Sequence, residues 1–257
     1  MQPRRKQQAT HEEWVQALRT VKDRVPQEEA YYLVESAAHR VRSLPGPIAY
    51  AWSGGKDSQA LRVVAEAAGV TECLLVICEL EYPAFLAWAT DHMPPGLEVV
   101  NTGQDLDWLA AHQQMLFPSS ANVAARWFAA VQHTGQRRYF KHRRLGTLLL
   151  GRRRQDGNFV GRDGDWSYVK DGVLRASPIH NWTNDELLAV LAWYDMPLPP
   201  CYRWPRGFRV GTGPWPARQW CGSIMRGWQE VHTIDASIVR AAAAKIPSAA
   251  EYLERVA

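Results

Sequence analysis

The chain has 257 residues, a formal net charge of +4, 46% hydrophobic residues and 22% charged residues. Those proportions belong to a globular protein large enough to bury a core, and they exclude a disordered or low-complexity chain. No stretch approaches the roughly 20 apolar residues of a membrane-spanning helix, and Met1-Gln2-Pro3-Arg4-Arg5-Lys6-Gln7-Gln8 carries no apolar leader run, so a cytoplasmic protein with no membrane partner is expected.

In chain order, Thr10-His11-Glu12-Glu13 has the form of a helix-capping box, with Trp14, Leu18 and Val21 following at helical spacing. Pro26 then opens a second helix carrying Tyr31, Leu33, Val34, Ala37, Ala38 and Val41, which ends near Pro45-Gly46-Pro47. Residues 1–45 therefore read as an N-terminal helical appendage. From Ile48 the pattern alternates: strand 48–52, helix 57–68, strand 73–79, helix 83–92, strand 97–101, helices within 104–133 and 136–144, and strand 146–150. This alternation predicts an α/β fold, a doubly wound parallel sheet covered on both faces, with ligands outside the carboxyl ends of its strands. Beyond residue 151 the chain is loop-rich, with one clear helix over 184–194 behind a second capping box, Thr183-Asn184-Asp185-Glu186. Residues 196–222 hold six prolines and read as a long functional loop, and the last stretch, 234–256, reads as two short helices.

The strongest chemical signal is Ser53-Gly54-Gly55-Lys56-Asp57-Ser58, set between the first strand and an apolar-periodic helix. A helix N-terminus behind a glycine pair offers unpaired N–H groups and the positive end of a dipole to an anion. Gly54 and Gly55 permit close backbone approach, Ser53 and Ser58 add hydroxyls, and Lys56 adds charge. Asp57 either holds Mg²⁺ or caps the helix. The spacing is neither that of a Walker A loop nor that of a dinucleotide fingerprint. A second constellation follows the fourth strand, where Gly151-Arg152-Arg153-Arg154 places guanidinium groups at a glycine turn suited to phosphate or sulfate. The wider basic segment 137–154 suits a nucleic acid or another polyanion. Four cysteines, Cys73, Cys78, Cys201 and Cys221, form no C-x-x-C pair, so neither a zinc ribbon nor an iron-sulfur cluster is expected.

Ser-Gly-Gly-Lys-Asp-Ser resembles the PP-loop of the ATP pyrophosphatase superfamily. Gly151, Arg153 and Arg154, then Pro178, Trp182 and Glu186, then Leu198, Pro200 and Tyr202 extend the likeness to the phosphoadenylyl-sulfate (PAPS) reductase family over residues 46–222. That resemblance implies an adenine nucleotide alpha hydrolase-like domain over 46–222, flanked by the appendage and by C-terminal helices over 223–257. It also implies ATP or PAPS as ligand, held by residues 53–58 with Gly151, Arg153 and Arg154, and Lys56, Asp57, Arg153 and Cys221 as catalytic candidates. With ATP, Asp57, Glu79 or Glu81 would carry Mg²⁺. The reductases end in Glu-Cys-Gly-hydrophobic-His, which Cys221-Gly222-Ser223-Ile224 echoes only in part, with Cys201 the next thiol available.

Three readings follow. The first is a PP-loop enzyme that splits ATP between its α and β phosphates to adenylate an acceptor, or that performs sulfur-transfer chemistry. In the second, Cys221 is a relocated nucleophile of a true PAPS reductase. The third is a non-catalytic nucleotide-fold module that binds nucleic acid or a protein, and a homodimer is compatible with each.

Overall fold

The computed structural model describes residues 9–257, and Met1–Gln8, the stretch read as having no leader, lie outside the described residues. The first capping box forms as expected: Thr10 Oγ1 accepts from the Glu13 N–H at 3.2 Å and the Glu13 carboxylate accepts from the Thr10 N–H at 2.6 Å, opening α1 (His11–Thr20). Then come α2 (Gln27–Arg42), β1 (Ile48–Ala51), α3 (Lys56–Ala67), β2 (Glu72–Ile77), α4 (Pro83–Asp91), β3 (Leu97–Asn101), α5 (Leu106–Ala111), α6 (Ala121–Phe128), α7 (Thr134–Arg143) and β4 (Thr147–Leu149). A hairpin absent from the sequence reading follows, β5 (Ser167–Lys170) and β6 (Val173–Ala176). Its turn is Asp171-Gly172, with φ of +55° and +74°, the left-handed conformations that tight hairpins require. The chain closes with α8 (Asn184–Trp193), α9 (Gly207–Val210), α10 (Ile224–Ile234), α11 (Ala236–Ala243) and α12 (Pro247–Val256).

The α/β architecture expected from the alternation is present, as a six-stranded sheet of order β3-β2-β1-β4-β6-β5. β4 pairs in parallel with β1, Ala49 opposite Leu148, and with β6, Leu148 opposite Arg175, while β5 runs antiparallel on the edge. All three β4 residues are buried, which explains the unbroken apolar run of a strand covered on both faces.

The chain divides into two compact units. The first comprises Met1–Cys73, Pro94–Gly96 and Leu145–Gly211. Within it α2, α3 and α8 pack together through Val34, Ala37, Ala38, Leu61, Val64, Leu187 and Leu188, all buried. The connection between α1 and α2 is pinned to α8 by the Trp193 Nε1–H bond to the Val25 carbonyl at 3.0 Å and by the Arg24–Asp185 ion pair at 2.8 Å. The second comprises Leu74–Met93, Leu97–Arg144 and Thr212–Ala257. The two short helices expected over 234–256 are α11 and α12, preceded by α10, and the three pack on one another around Trp228, Val231, Val239 and Ala242. The Phe117 ring meets Trp228 edge-on at 5.1 Å and lies against Gly227, where a β-carbon would strike it.

Candidate active site

β1 delivers the glycine pair to the N-terminus of α3. Gly54 takes the left-handed φ of +68° and Gly55 is the extended N-cap residue, so the first glycine is required by backbone conformation. Ser58 ties the two ends of the loop together: its Oγ accepts from the Ser53 N–H at 3.1 Å and donates to the Gly55 carbonyl at 2.9 Å, with Ser53 Oγ 3.3 Å away. Both hydroxyls expected to face a ligand therefore also hold the loop in shape. The Lys56 N–H donates to the Tyr202 hydroxyl at 2.7 Å. Among the described residues the N–H groups of Gly54, Asp57 and Ser58 have no acceptor, which leaves three donors at the positive end of α3.

The charged residues form a chain of ion pairs. Lys56 Nζ is 2.7 Å from Asp57 Oδ2, Asp57 Oδ1 is 2.9 Å from Arg153 Nε, and Arg153 Nη2 is 3.0 Å from Asp156 Oδ1. Arg153 is 0% exposed, and its Nη1 donates to the Trp182 carbonyl and to Asn184 Oδ1, both at 3.1 Å. Each guanidinium nitrogen thus has a protein acceptor, and Nε is the one that holds Asp57. Burial is the main cause of an Asp156 carboxyl raised above the usual range, opposed by the charges of Lys56 and Arg153. Burial likewise raises the Tyr202 hydroxyl well above its ordinary value, so it stays protonated. Gly151 is explained by proximity: a β-carbon there would lie 2.9 Å from the Asp57 carbonyl oxygen and 3.2 Å from the Ser58 nitrogen. The end of β4 abuts the first turn of α3, and only glycine fits.

Arg154 turns elsewhere, its Nη2 donating to the carbonyls of Gly164 and Asp165 at 2.6 Å and its N–H to the His180 carbonyl at 2.8 Å. Arg152 reaches the Tyr168 hydroxyl at 2.8 Å. The three arginines therefore have three destinations. Of the basic segment 137–154, α7 belongs to the second unit and Arg152, Arg153 and Arg154 to the first. On α7, Arg137, Arg138 and Lys141 are exposed, as is Arg144 just beyond it, and Arg143 pairs with Glu98 at 2.7 Å.

The remaining candidates belong to the second unit, apart from Cys201, which is buried in the first. Glu79 is exposed and its Oε1 accepts from Asn101 Nδ2 at 2.5 Å. Glu81 is 6% exposed, and burial, partly offset by the Cys78 N–H, pushes its carboxyl up to about 8; Oε2 has no partner. Arg218 is buried against Glu230, with contacts of 3.2 and 3.1 Å to one carboxylate oxygen. Cys221 is 7% exposed, and its thiol donates to the Arg218 carbonyl at 3.4 Å.

As for Mg²⁺, each oxygen of Asp57 already holds a cationic side chain, and among the described residues no three His, Cys, Asp or Glu side chains come together as metal ligands. This donor set does not fit a resident Mg²⁺ on Asp57 and Glu79. Tyr202, Asp156 and Asn184 enter the site without having been singled out for these roles. Only Tyr202 carried a signal, as part of the Leu198-Pro199-Pro200-Cys201-Tyr202 segment.

The strand-loop-helix geometry belongs to an α/β fold, and solved structures resemble it. PAPS reductase from Candida auris, in a phosphate complex, is 14% identical, with a TM-score of 0.51 over 81% of this chain and 97% of that one. At that identity the likeness establishes the fold, which is the one the loop motif implied. Two further similar structures are the U34-tRNA thiolase of Methanococcus maripaludis with its 4Fe-4S cluster (15% identity, TM-score 0.45, 88% of this chain and 80% of that one) and Candida glabrata FMN adenylyltransferase in complex with ATP (11%, 0.45, 76% and 67%). No family model matches the chain, and no characterised relative is found by sequence.

Proposed function

We propose that this chain is a PP-loop enzyme that binds an adenine nucleotide with its phosphates on residues 53–58 and cleaves ATP between the α and β phosphates, passing the adenylyl group to an acceptor. The observation that carries the reading is the first turn of α3, where three unpaired amides and the Lys56 ammonium sit behind a strand and a left-handed glycine. In this reaction the acceptor's nucleophilic atom bonds to the α phosphorus as the bond to the bridging oxygen breaks, and pyrophosphate leaves with the electron pair. Lys56 and the loop amides meet the charge that grows on the departing group, the kind of preorganised stabilisation that is usually the largest catalytic contribution. Arg153 acts one step back: by holding Asp57 from the buried side it fixes the carboxylate that orients Lys56.

The test is calorimetric titration of ATP and of pyrophosphate into the wild type and Lys56→Ala, with pyrophosphate release assayed alongside. A charge-assisted hydrogen bond contributes about 1.5 to 3 kcal/mol, so the variant should bind at least about tenfold more weakly. Equal affinity in the two proteins would remove the assignment.

A further inference from the structure

Lys56 is met by a residue that no loop motif contains. Its Nζ lies 4.9 Å from the centre of the Trp14 ring, and the lysine is only 7% exposed. Trp14 stacks on Phe208 at 5.7 Å with an interplanar angle of 4°, and Phe208 meets Tyr202 edge-on at 4.8 Å. The hydroxyl of that tyrosine takes the Lys56 N–H. The Phe208 N–H in turn donates to Nδ1 of His11, one turn before Trp14 on α1, at 3.3 Å. The contacts close into a ring from Lys56 through Trp14, Phe208 and Tyr202 back to Lys56, so the lysine is held at its backbone and at its ammonium by one connected aromatic cluster.

An unrestrained lysine tail carries rotamer entropy that a phosphate would have to quench on binding. Asp57 restrains Nζ but also neutralises it. An indole face attracts the ammonium through its quadrupole and contributes no net charge, so it helps fix the position without offsetting the positive charge beyond what Asp57 already does. We propose that Trp14 is a positioning residue for Lys56, and that α1 is part of the phosphate-binding site. The proposal rests on the reading that residues 53–58 hold phosphates.

The test is a double-mutant cycle read by pyrophosphate titration: Trp14→Leu and Trp14→Phe, each made in the wild type and in Lys56→Met. Trp14→Leu should weaken pyrophosphate roughly five- to thirtyfold. Trp14→Phe, which keeps a ring face, should recover most of that loss, and neither change should add to Lys56→Met. An equal loss in both backgrounds, or no loss at all, overturns the proposal. Proton NMR of the protein labelled at lysine Cε gives a reading that needs neither ligand nor the leucine variant. Two lysine methylenes should be shifted upfield by indole ring currents, those of Lys22, 4.5 Å from the Trp193 ring centre, and of Lys56; the signal that disappears in Lys56→Met should shrink in Trp14→Phe, and if that signal is unshifted the proposal fails. If the wild type binds neither pyrophosphate nor ATP, the functional reading fails and the NMR comparison alone decides the placement of Lys56.

Discussion

At the scale of single residues, Arg153 and Glu81 are two buried ionisable groups with opposite situations. Arg153 donates to Asp57, Asp156, Asn184 and the Trp182 carbonyl, so its removal strands two partly buried carboxylates. Breaking a buried pair on one side costs about 3 to 5 kcal/mol, and Arg153→Met should lower stability by that order in urea denaturation. Arg153→Lys should recover little, because one ammonium cannot reproduce a fork that serves four acceptors; a wild-type midpoint in the lysine variant would contradict this account. Glu81 has an oxygen without a partner, and burial raises its carboxyl from an ordinary 4.5 to about 8. Between those values the folded chain keeps a proton that the unfolded chain has released. Stability from this group is therefore complete below about pH 4.5 and falls as the pH rises to about 8. Glu81→Gln removes that fall, so the variant should gain on the wild type between about pH 5 and about pH 8.5. A stability difference that stays constant over that range would show that the carboxyl ionises freely.

At the scale of elements, the critical join is the end of β4 against the start of α3. A β-carbon at Gly151 meets backbone atoms of Asp57 and Ser58, which cannot swing aside as a side-chain tip can. Gly151→Ala should cost about 1 to 3 kcal/mol and weaken pyrophosphate binding in the same variant, because the displaced atoms belong to the loop that carries the free amides. Retained affinity with lowered stability would separate the join from the site. The elements most legible in the sequence were those set by local chemistry. Both capping boxes, at Thr10 and Thr183, form as the spacing predicts, since every partner lies within three residues. The hairpin of β5 and β6 escaped notice because its strands are four residues each and Lys170 and Arg175 blur the alternation, although Asp171-Gly172 is a recognised turn signal. Within the site, the loop, its lysine and its glycines were legible. The Arg153–Asp57 pair spans 96 residues and the Tyr202–Lys56 bond 146, and no local pattern encodes which distant side chain will arrive.

At the scale of the whole molecule, the four cysteines decide between adenylation and reductase chemistry. A reductase nucleophile must be reachable and ionised, and thiolates form where a cation or a helix N-terminus stabilises them. Among the described residues Cys73, Cys78, Cys201 and Cys221 form no disulfide, and all four are buried. Burial, reinforced by the charge of Glu81, pushes the Cys78 thiol up to about 12, far from a reactive thiolate. Cys221 spends its proton on the Arg218 carbonyl, and the nearby Arg218 guanidinium is committed to Glu230. The native protein should therefore react slowly with an aromatic disulfide reagent at neutral pH and release its thiol signal only on addition of denaturant. Supplied with PAPS and a reduced dithiol protein, it should yield little or no sulfite, while ATP still binds in the same preparation. Prompt labelling of Cys221 in the folded state, together with sulfite release that vanishes in Cys221→Ser, would reverse the assignment. The opposite pattern, slow thiols with intact nucleotide binding, leaves the loop at the start of α3 as the centre of the chemistry.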